Sequence, residues 1–433
     1  MIIVWNQFGQ KVLADGNEGK LSEFLVGLEV ERERIDGDGQ VSHFPYPRNI
    51  GDQQTNPWIT NDFMQTMAEV VTPVAATSRQ ALRYLEQLSN VLRRGLSESE
   101  YLWPLSMPPE LPRDRSQVDI AHANASKRKY FYTWIKSHPL EEATPCGLHV
   151  NLGINPQLAS QLSVNEQNQL YIQLAQGFLR YRFVLTYLFG ASPLAEANYF
   201  LHGEGPDALV RSIRQSKYGF GTKFDGDFSD VAHYSQRILD GVQSGQLLAE
   251  HDFHSPVRLR GTKTVADLPS QGVRYIELRM LDLNPWSSVG ISSDELDFIR
   301  LMAAYFLATE GKPLDLKASN VSNEKVALES PLSVCGYQDQ IQEFLVTLAD
   351  FAAQIQAGQE TYDLLDRLQV LVAHPELTIN GRLAAEVSDH SLRRFAVSQA
   401  VKFQERSRQA VNVYQGFQKG KSLSTAELKK ILK

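Results

Sequence analysis

Residues 24–35 read FLVGLEVERERI, and the alternation within this stretch is the first clue to the fold. Val26, Leu28 and Val30 fall on one parity, while Gly27, Glu29, Glu31 and Glu33 fall on the other. A strand sends successive side chains to opposite faces at a rise of about 3.3 Å per residue. The stretch therefore predicts a strand with one greasy and one acidic face, its glutamates about 6–7 Å apart. Like charges in such a row repel unless positive charge lies among them. A divalent cation meets that need, because carboxylate oxygens are what Mg²⁺ or Mn²⁺ prefers. Arg32 and Arg34 are candidates for part of the compensation, and a solvated edge strand is the plain alternative.

Working outward, two more stretches repeat the device. In CGLHVNLGI (146–154), Leu148, Val150, Leu152 and Ile154 form the apolar face, opposite Gly147, His149, Asn151 and Gly153. Glycines flanking His and Asn let a ligand approach the backbone closely. In GVRYIELRMLDLNP (272–285), Tyr275, Glu277 and Arg279 share a face, with Ile276, Leu278 and Met280 behind. A carboxylate beside a guanidinium is by default an ion pair. In a phosphate site the same pair divides its work: Glu holds metal and Arg takes phosphoryl oxygens bidentately. The stretch 56–74, NPWITNDFMQTMAEVVTPV, adds Asp62 and Glu69 beside apolar anchors, near a strand ending at Pro73. Together these describe an antiparallel sheet with a greasy face and a face lined by Glu, His, Asn and Arg.

Composition narrows the classes. The chain has 433 residues, 42% of them hydrophobic, so it can bury a large core and is not disordered as a whole. Length alone suggests about three domains. No repeat, low-complexity run or linker divides the chain, however, and one α+β unit over residues 1–433 is expected. Its sheet-containing part covers about residues 20–310, and a helical C-terminal layer covers about 311–433. Expected helices there are 294–309, 339–357, 361–372 and 388–415, with a short terminal helix capped by Ser424. The formal net charge of −7 argues against gripping nucleic acid or anionic membrane with the whole surface. The apolar run Phe178 to Phe189, interrupted by Arg180 and Arg182, is too short to span a bilayer. With no signal-like start and only Cys146 and Cys335, the expectation is a cytoplasmic protein with reduced thiols. Cys146, at a strand start, is expected to be buried.

Absences constrain the chemistry too. GFQKGKS at Gly416 is one residue short of a P-loop, and Gly203 and Gly205 do not extend to a dinucleotide fingerprint. No G-x-S-x-G occurs. A bound nucleotide would have to be held through carboxylate-bound metals and arginines.

These stretches, with YLWPLSMPPELP (101–112), YLFGASP (187–193) and HPELTINGRL (374–383), resemble in order the landmarks of bacterial glutamate–cysteine ligases over roughly residues 20–410. The resemblance implies a glutamine-synthetase-like catalytic fold, a curved antiparallel funnel surrounded by helices. It implies Glu29, Glu31, Asp62, Glu69, His149 and Glu277 as ligands of Mg²⁺ or Mn²⁺. Glu277 and Arg279 are implied as catalytic, Arg279 stabilising the transferred phosphoryl group. Substrate contacts are implied at Arg214, Tyr130, Phe63, Asn151, Phe220 and His254. The implied reaction consumes ATP to join the γ-carboxylate of glutamate to the amine of cysteine through a γ-glutamyl phosphate, the first step of glutathione biosynthesis. The implied partners are these small molecules only, in a monomer or small homo-oligomer.

The acceptor pocket departs from the family pattern. Phe220 stands where a tyrosine is usual, His254 replaces a second tyrosine, and Phe131 replaces an arginine beside the retained Tyr130. Pockets built on hydrogen bonds discriminate strongly and apolar ones weakly. Cysteine leads as acceptor, a different amine is the alternative, and Tyr218 or His254 can replace lost hydrogen bonds. The residues present include no counterpart of the further domain fused to this ligase in bifunctional enzymes, so the γ-glutamyl dipeptide is the expected product.

Overall fold

The computed structural model describes residues 3–201, 203–219, 224–418 and 421–433. Seven strands form one sheet: β1 (Leu25–Ile35), β2 (Ile59–Asn61), β3 (Met67–Val71), β4 (Tyr101–Leu102), β5 (Leu148–Gly153), β6 (Val257–Arg260) and β7 (Tyr275–Leu281). The order is β2-β3-β1-β5-β7-β6, with β4 on the far end of β1, and every pairing is antiparallel. The three stretches read as strands are the three central ones. β1 opposes β5 with Val26 across from Leu152 and Leu28 across from Val150, and β7 continues both rows through Ile276 and Leu278. These six side chains are fully buried. Each contributes about 1.5–3 kcal/mol by leaving water.

Helices Ser78–Gly95, Val164–Arg180 and Arg182–Phe189 cover the greasy face, and Ser293–Ala308 packs on Val164–Arg180. The last two approach so closely that a Cβ on Gly177 would lie 2.3 Å from the Phe306 ring. The run Phe178 to Phe189 is not one helix: the chain breaks at Tyr181, leaving Arg180 and Arg182 at the two helix ends.

Beyond residue 311 the described chain is helical: Leu316–Leu328, Gln338–Gln354, Gln359–Ala373, Ile379–Glu386 and Arg393–Gln409. The helix expected over 388–415 is shorter because Asp389 and His390 adopt φ of 51° and 56°, and Ser388 and Ser391 bridge in a turn. The terminal helix Thr425–Ile431 starts at Ser424 as expected, with Glu427 closing the capping box. Among the described residues no helix is long and apolar enough to cross a membrane.

Candidate active site

The register that buries the apolar rows also assembles the polar ones. In antiparallel pairs, directly opposed side chains share a face. Glu29 thus meets His149, Glu31 meets Glu69, and Asn151 stands between Gly27 and Glu277. β7 carries one extra residue where it passes His149, since Leu148 opposes Leu281 but Val150 opposes Leu278. That bulge lies at Arg279 and Met280, and bulges beside sites re-aim side chains.

Asn151 donates to Glu29 Oε1 at 2.8 Å, and His149 Nδ1 lies 3.3 Å from Glu29 Oε2 and 3.7 Å from Glu277 Oε1. Ligand atoms of Glu29, His149 and Glu277 fall within 4.8 Å of one another, a spacing one cation can bridge. On the other side of the ring, His149 Nε2 is buried, has no hydrogen-bond partner among the described residues and lies 3.9 Å from Glu31 Oε1. An orphaned imidazole nitrogen among carboxylates fits a divalent-ion site. Glu31 also accepts from the Gly147 amide at 2.6 Å. Gly147 has no room for a side chain: a Cβ there would lie 2.3 Å from an Arg214 guanidinium nitrogen and 2.8 Å from His149 Nε2.

Asp62 and Glu69 sit one step aside, with Lys127 Nζ 3.4 Å and 3.9 Å from their carboxylates. Lys127 lies on helix Ala125–Trp134, which is docked through Phe131 and Trp134 against Phe63, at ring-centroid distances of 4.6 Å and 5.1 Å. Lys127 therefore supplies the positive charge that these two carboxylates share here.

Burial sets the baseline for every acid in the group and neighbours decide the outcome. Glu69 is pushed well above the usual carboxylate range by burial, which Lys127 offsets only in part. Glu31 is raised too, with His149, Arg279 and Arg214 opposing its burial. Glu277 is buried as deeply, yet Arg279, Arg260, Arg258 and His149 hold it well below the usual range. Arg279 Nη1 lies 2.5 Å and Arg260 Nε 2.6 Å from its two oxygens. For Glu29 the His149 hydrogen bond and further contacts outweigh burial, and the direction is downward. Arg32 and Arg34 do not compensate the glutamates by direct pairing, contrary to expectation. They share the parity of Val26 and Val30, so they project to the opposite face. Arg34 pairs with buried Glu100, and Arg32 reaches the Ser288 carbonyl at 3.3 Å.

Glu33 also departs from the open acidic row. It is fully buried, accepts from Thr66 Oγ1 at 2.7 Å, and its carboxyl is pushed up to about 8, chiefly by burial. Unfolded, a Glu titrates near 4.3. Between those values the folded chain holds a proton that the unfolded chain has lost, so stability falls as pH rises. The slope approaches about 1.4 kcal/mol per pH unit. Glu33→Gln is expected to flatten this fall in metal-free thermal melts between pH 6 and pH 8. Parallel Tm–pH curves for variant and wild type would refute the assignment.

The residues expected to contact substrate are not gathered in one place. Asn151 is in the acidic group and Phe63 is buried in the aromatic cluster. Arg214, 3% exposed, donates to the carbonyls of Leu281 and Arg279 at 2.9 Å and 3.3 Å. Tyr130 donates to Asp252 at 3.0 Å, and its ring lies edge-on to His251 at 4.0 Å. His254 is half-buried and held well below its ordinary pKa by burial and by Arg279 and Arg258. Phe220 lies outside the described residues. Cys146 is fully buried and its thiol is pushed far up by burial, which makes it an inert packing residue.

The sequence reading missed Lys127, Arg258, Arg260 and Asp282. The alternation in Val257-Arg258-Leu259-Arg260 was the available signal for β6, but four residues are too few to separate a strand from a loop. Asp282 accepts from the Ala191 amide (2.7 Å), Ser192 Oγ (2.8 Å), Ser212 Oγ (2.7 Å) and Gln215 Nε2 (3.2 Å), joining three distant segments beneath Arg214. Nothing local announces such a hub.

An open antiparallel sheet, helices behind it and a carboxylate-lined face in front define a fold shared with solved ligases. A bifunctional glutathione synthetase from Pasteurella multocida superposes with a TM-score of 0.85 at 28% identity, covering 92% of this chain and 55% of that one. A glutamate–cysteine ligase from Francisella tularensis, solved in complex with AMP, shares the fold at a TM-score of 0.80 and 20% identity, covering 95% and 92%. The sequence matches the family described as glutamate–cysteine ligase over residues 10–243 and 225–328, and the chain belongs to that family. The glutathione biosynthesis bifunctional protein of Enterococcus faecalis is 34% identical over 385 residues, 84% of this chain and 50% of that protein. Its counterpart in Streptococcus thermophilus is 32% identical over 413 residues, 92% and 54%. The chain thus spans about half the length of the curated relatives it matches.

Proposed function

We infer that this chain is an ATP-dependent carboxylate–amine ligase that joins the γ-carboxylate of glutamate to the amino group of cysteine. The observation that carries this reading is the convergence of Glu29, His149 and Glu277 within 4.8 Å, flanked by Glu31 and by Arg279 and Arg260 on Glu277. Carboxylates that repel one another and arginines that face them make a site for a charged phosphate ester and its counter-ions. Glu29, Glu31, His149 and Glu277 would hold Mg²⁺ or Mn²⁺, with Asp62 and Glu69 as the outer pair. When bound, the cation supplies neutralisation of the triphosphate charge.

In the reaction the γ-carboxylate of glutamate attacks the ATP γ-phosphorus, giving ADP and an acyl phosphate. The acceptor amine then attacks the acyl carbon, losing a proton, and inorganic phosphate leaves. Arg279 would meet charge developing on the phosphoryl oxygens, with Glu277 fixing its guanidinium. Arg214, on the other side of Gly147 and anchored to the Leu281 carbonyl, would meet a glutamate carboxylate.

A second reading keeps this chemistry with a different amine as acceptor. It is supported by Phe131, whose ring is buried against Phe63 and offers no hydrogen bond to an acceptor. Mass spectrometry of the product from ATP, Mg²⁺, glutamate and mixed amino acids tests both. γ-Glutamylcysteine as the dominant new mass supports the first, and another γ-glutamyl amide supports the second. ADP formed without any amide would sink both in favour of simple phosphotransfer, and no turnover would favour a non-catalytic relative.

A further inference from the structure

We propose that Arg258 binds the α-carboxylate of the acceptor, so that the enzyme selects an amino acid over the corresponding simple amine. The proposal rests on the ligase reading and adds a residue and a substrate class to it.

Arg258 is the cross-strand partner of Glu277, on the same face of the sheet as the acidic group. It is only 7% exposed, yet beyond its backbone pairing its guanidinium has neither a hydrogen bond nor an ion pair among the described residues, and Glu277 acts on its charge without direct contact. Its neighbours explain why. Arg260 and Arg279 take both oxygens of Glu277, so three guanidiniums share one carboxylate and the third goes unmatched. His254 adds no charge, being held neutral by burial and by Arg279 and Arg258 themselves. Burial, and then Arg260, push Arg258 down to about 10, still cationic at neutral pH. A buried, unpaired guanidinium is costly unless an anion completes it. Its planar fork matches a carboxylate bidentately.

Arg214 would take a glutamate carboxylate, which leaves the acceptor carboxylate and the ATP phosphates for Arg258, and strand order separates these. The cation-binding group spans β1, β5 and β7, and Arg258 stands on β6 at the outer edge. At about 4.8 Å per strand, it lies about 14 Å from the backbone of β1. Its charge instead acts on Tyr130, His251 and His254, the first of which bonds Asp252 and the last of which lies three residues before β6. In an α-amino acid the nitrogen is two bonds from the carboxylate carbon. An acceptor anchored at Arg258 therefore presents its amine toward Glu277 and Arg279, where the acyl phosphate forms.

Amide formation is measured with cysteine and with cysteamine, the same thiol-amine lacking the carboxylate, using the wild type, Arg258→Gln and Arg258→Lys. Circular dichroism melting confirms that the variants fold. The wild type is expected to prefer cysteine by about a hundred-fold or more in kcat/KM, as sites built for a polar group reject analogues lacking it. Arg258→Gln is expected to abolish that preference by raising KM for cysteine, while the cysteamine reaction and the KM values of ATP and glutamate shift by a much smaller factor through the lost field on Glu277. Arg258→Lys should retain part of the preference. An unchanged cysteine-to-cysteamine ratio in Arg258→Gln overturns the proposal, as does a loss that falls on KM for ATP, which would assign Arg258 to phosphate. A wild type that forms no amide with either acceptor refutes the ligase reading itself, a different result from amide formation with an unchanged ratio.

Discussion

Replacing Arg279 by alanine is expected to lower kcat for ADP formation by about a thousand-fold or more while the KM for ATP changes only a few-fold. The geometry behind this is the pairing of Arg279 Nη1 with Glu277 at 2.5 Å, which fixes the guanidinium in a buried setting facing Glu31. In phosphoryl transfer the charge on the equatorial oxygens is met by preplaced donors, and a transferred-phosphoryl arginine is worth about 10³–10⁵ in rate. Such an interaction is realised in the transition state, so its loss falls on kcat and not on binding. Arg279→Lys retains the charge but not the fork, and is expected to recover only a small part of the rate. Glu277 keeps Arg260 in both variants, so its carboxylate stays paired. Steady-state ADP release with glutamate and cysteine measures the effect. A loss below about ten-fold would remove Arg279 from the catalytic role.

Asp282→Ala is expected to be the most damaging substitution for stability, by about 3–5 kcal/mol in urea unfolding. Asp282 is 2% exposed and takes four hydrogen bonds, from the Ala191 amide, two serine hydroxyls and Gln215. Alanine leaves the Ala191 amide and one of the two serine hydroxyls without an acceptor, since Ser192 and Ser212 can still bond each other at 3.0 Å, and each buried unsatisfied group costs about 1–3 kcal/mol before relaxation. The effect reaches function, because Arg214 Nη1 lies 3.8 Å from Asp282 Oδ1 and bonds the adjacent Leu281 carbonyl. A rise in KM for glutamate should therefore accompany the lost stability. Asp282→Asn keeps one acceptor but turns an amide N–H toward donors, and is expected to cost somewhat less. A destabilisation under about 1 kcal/mol in Asp282→Ala would show that the hub carries no weight.

Much of the sheet and most of the acidic group can be read from order along the chain. The period of two in 24–35, 146–154 and 272–285 is a local property, and it places Glu29, Glu31, His149, Asn151, Glu277 and Arg279 on faces without knowledge of the partner strands. Parity even contains the correction to Arg32 and Arg34, since both fall in step with Val26. Helix starts at Ser292 and Ser424 are equally local, each with a Glu three residues on that returns the hydrogen bond.

Convergence between distant segments is not legible in this way. Lys127 enters the site because Phe131 and Trp134 dock its helix on Phe63, a contact across more than sixty positions of the chain. Asp282 gathers donors from residues 191, 192, 212 and 215, and Arg258 is left unmatched only because Arg260 and Arg279 reach Glu277 first. The physical reason is one of range. Alternation, capping and strand propensity act between residues a few positions apart, so they are written in the chain. Which charges end up paired, which stay buried and unpaired, and which strands lie side by side depend on closing long loops around a common core. Those outcomes exist only once the whole chain has packed.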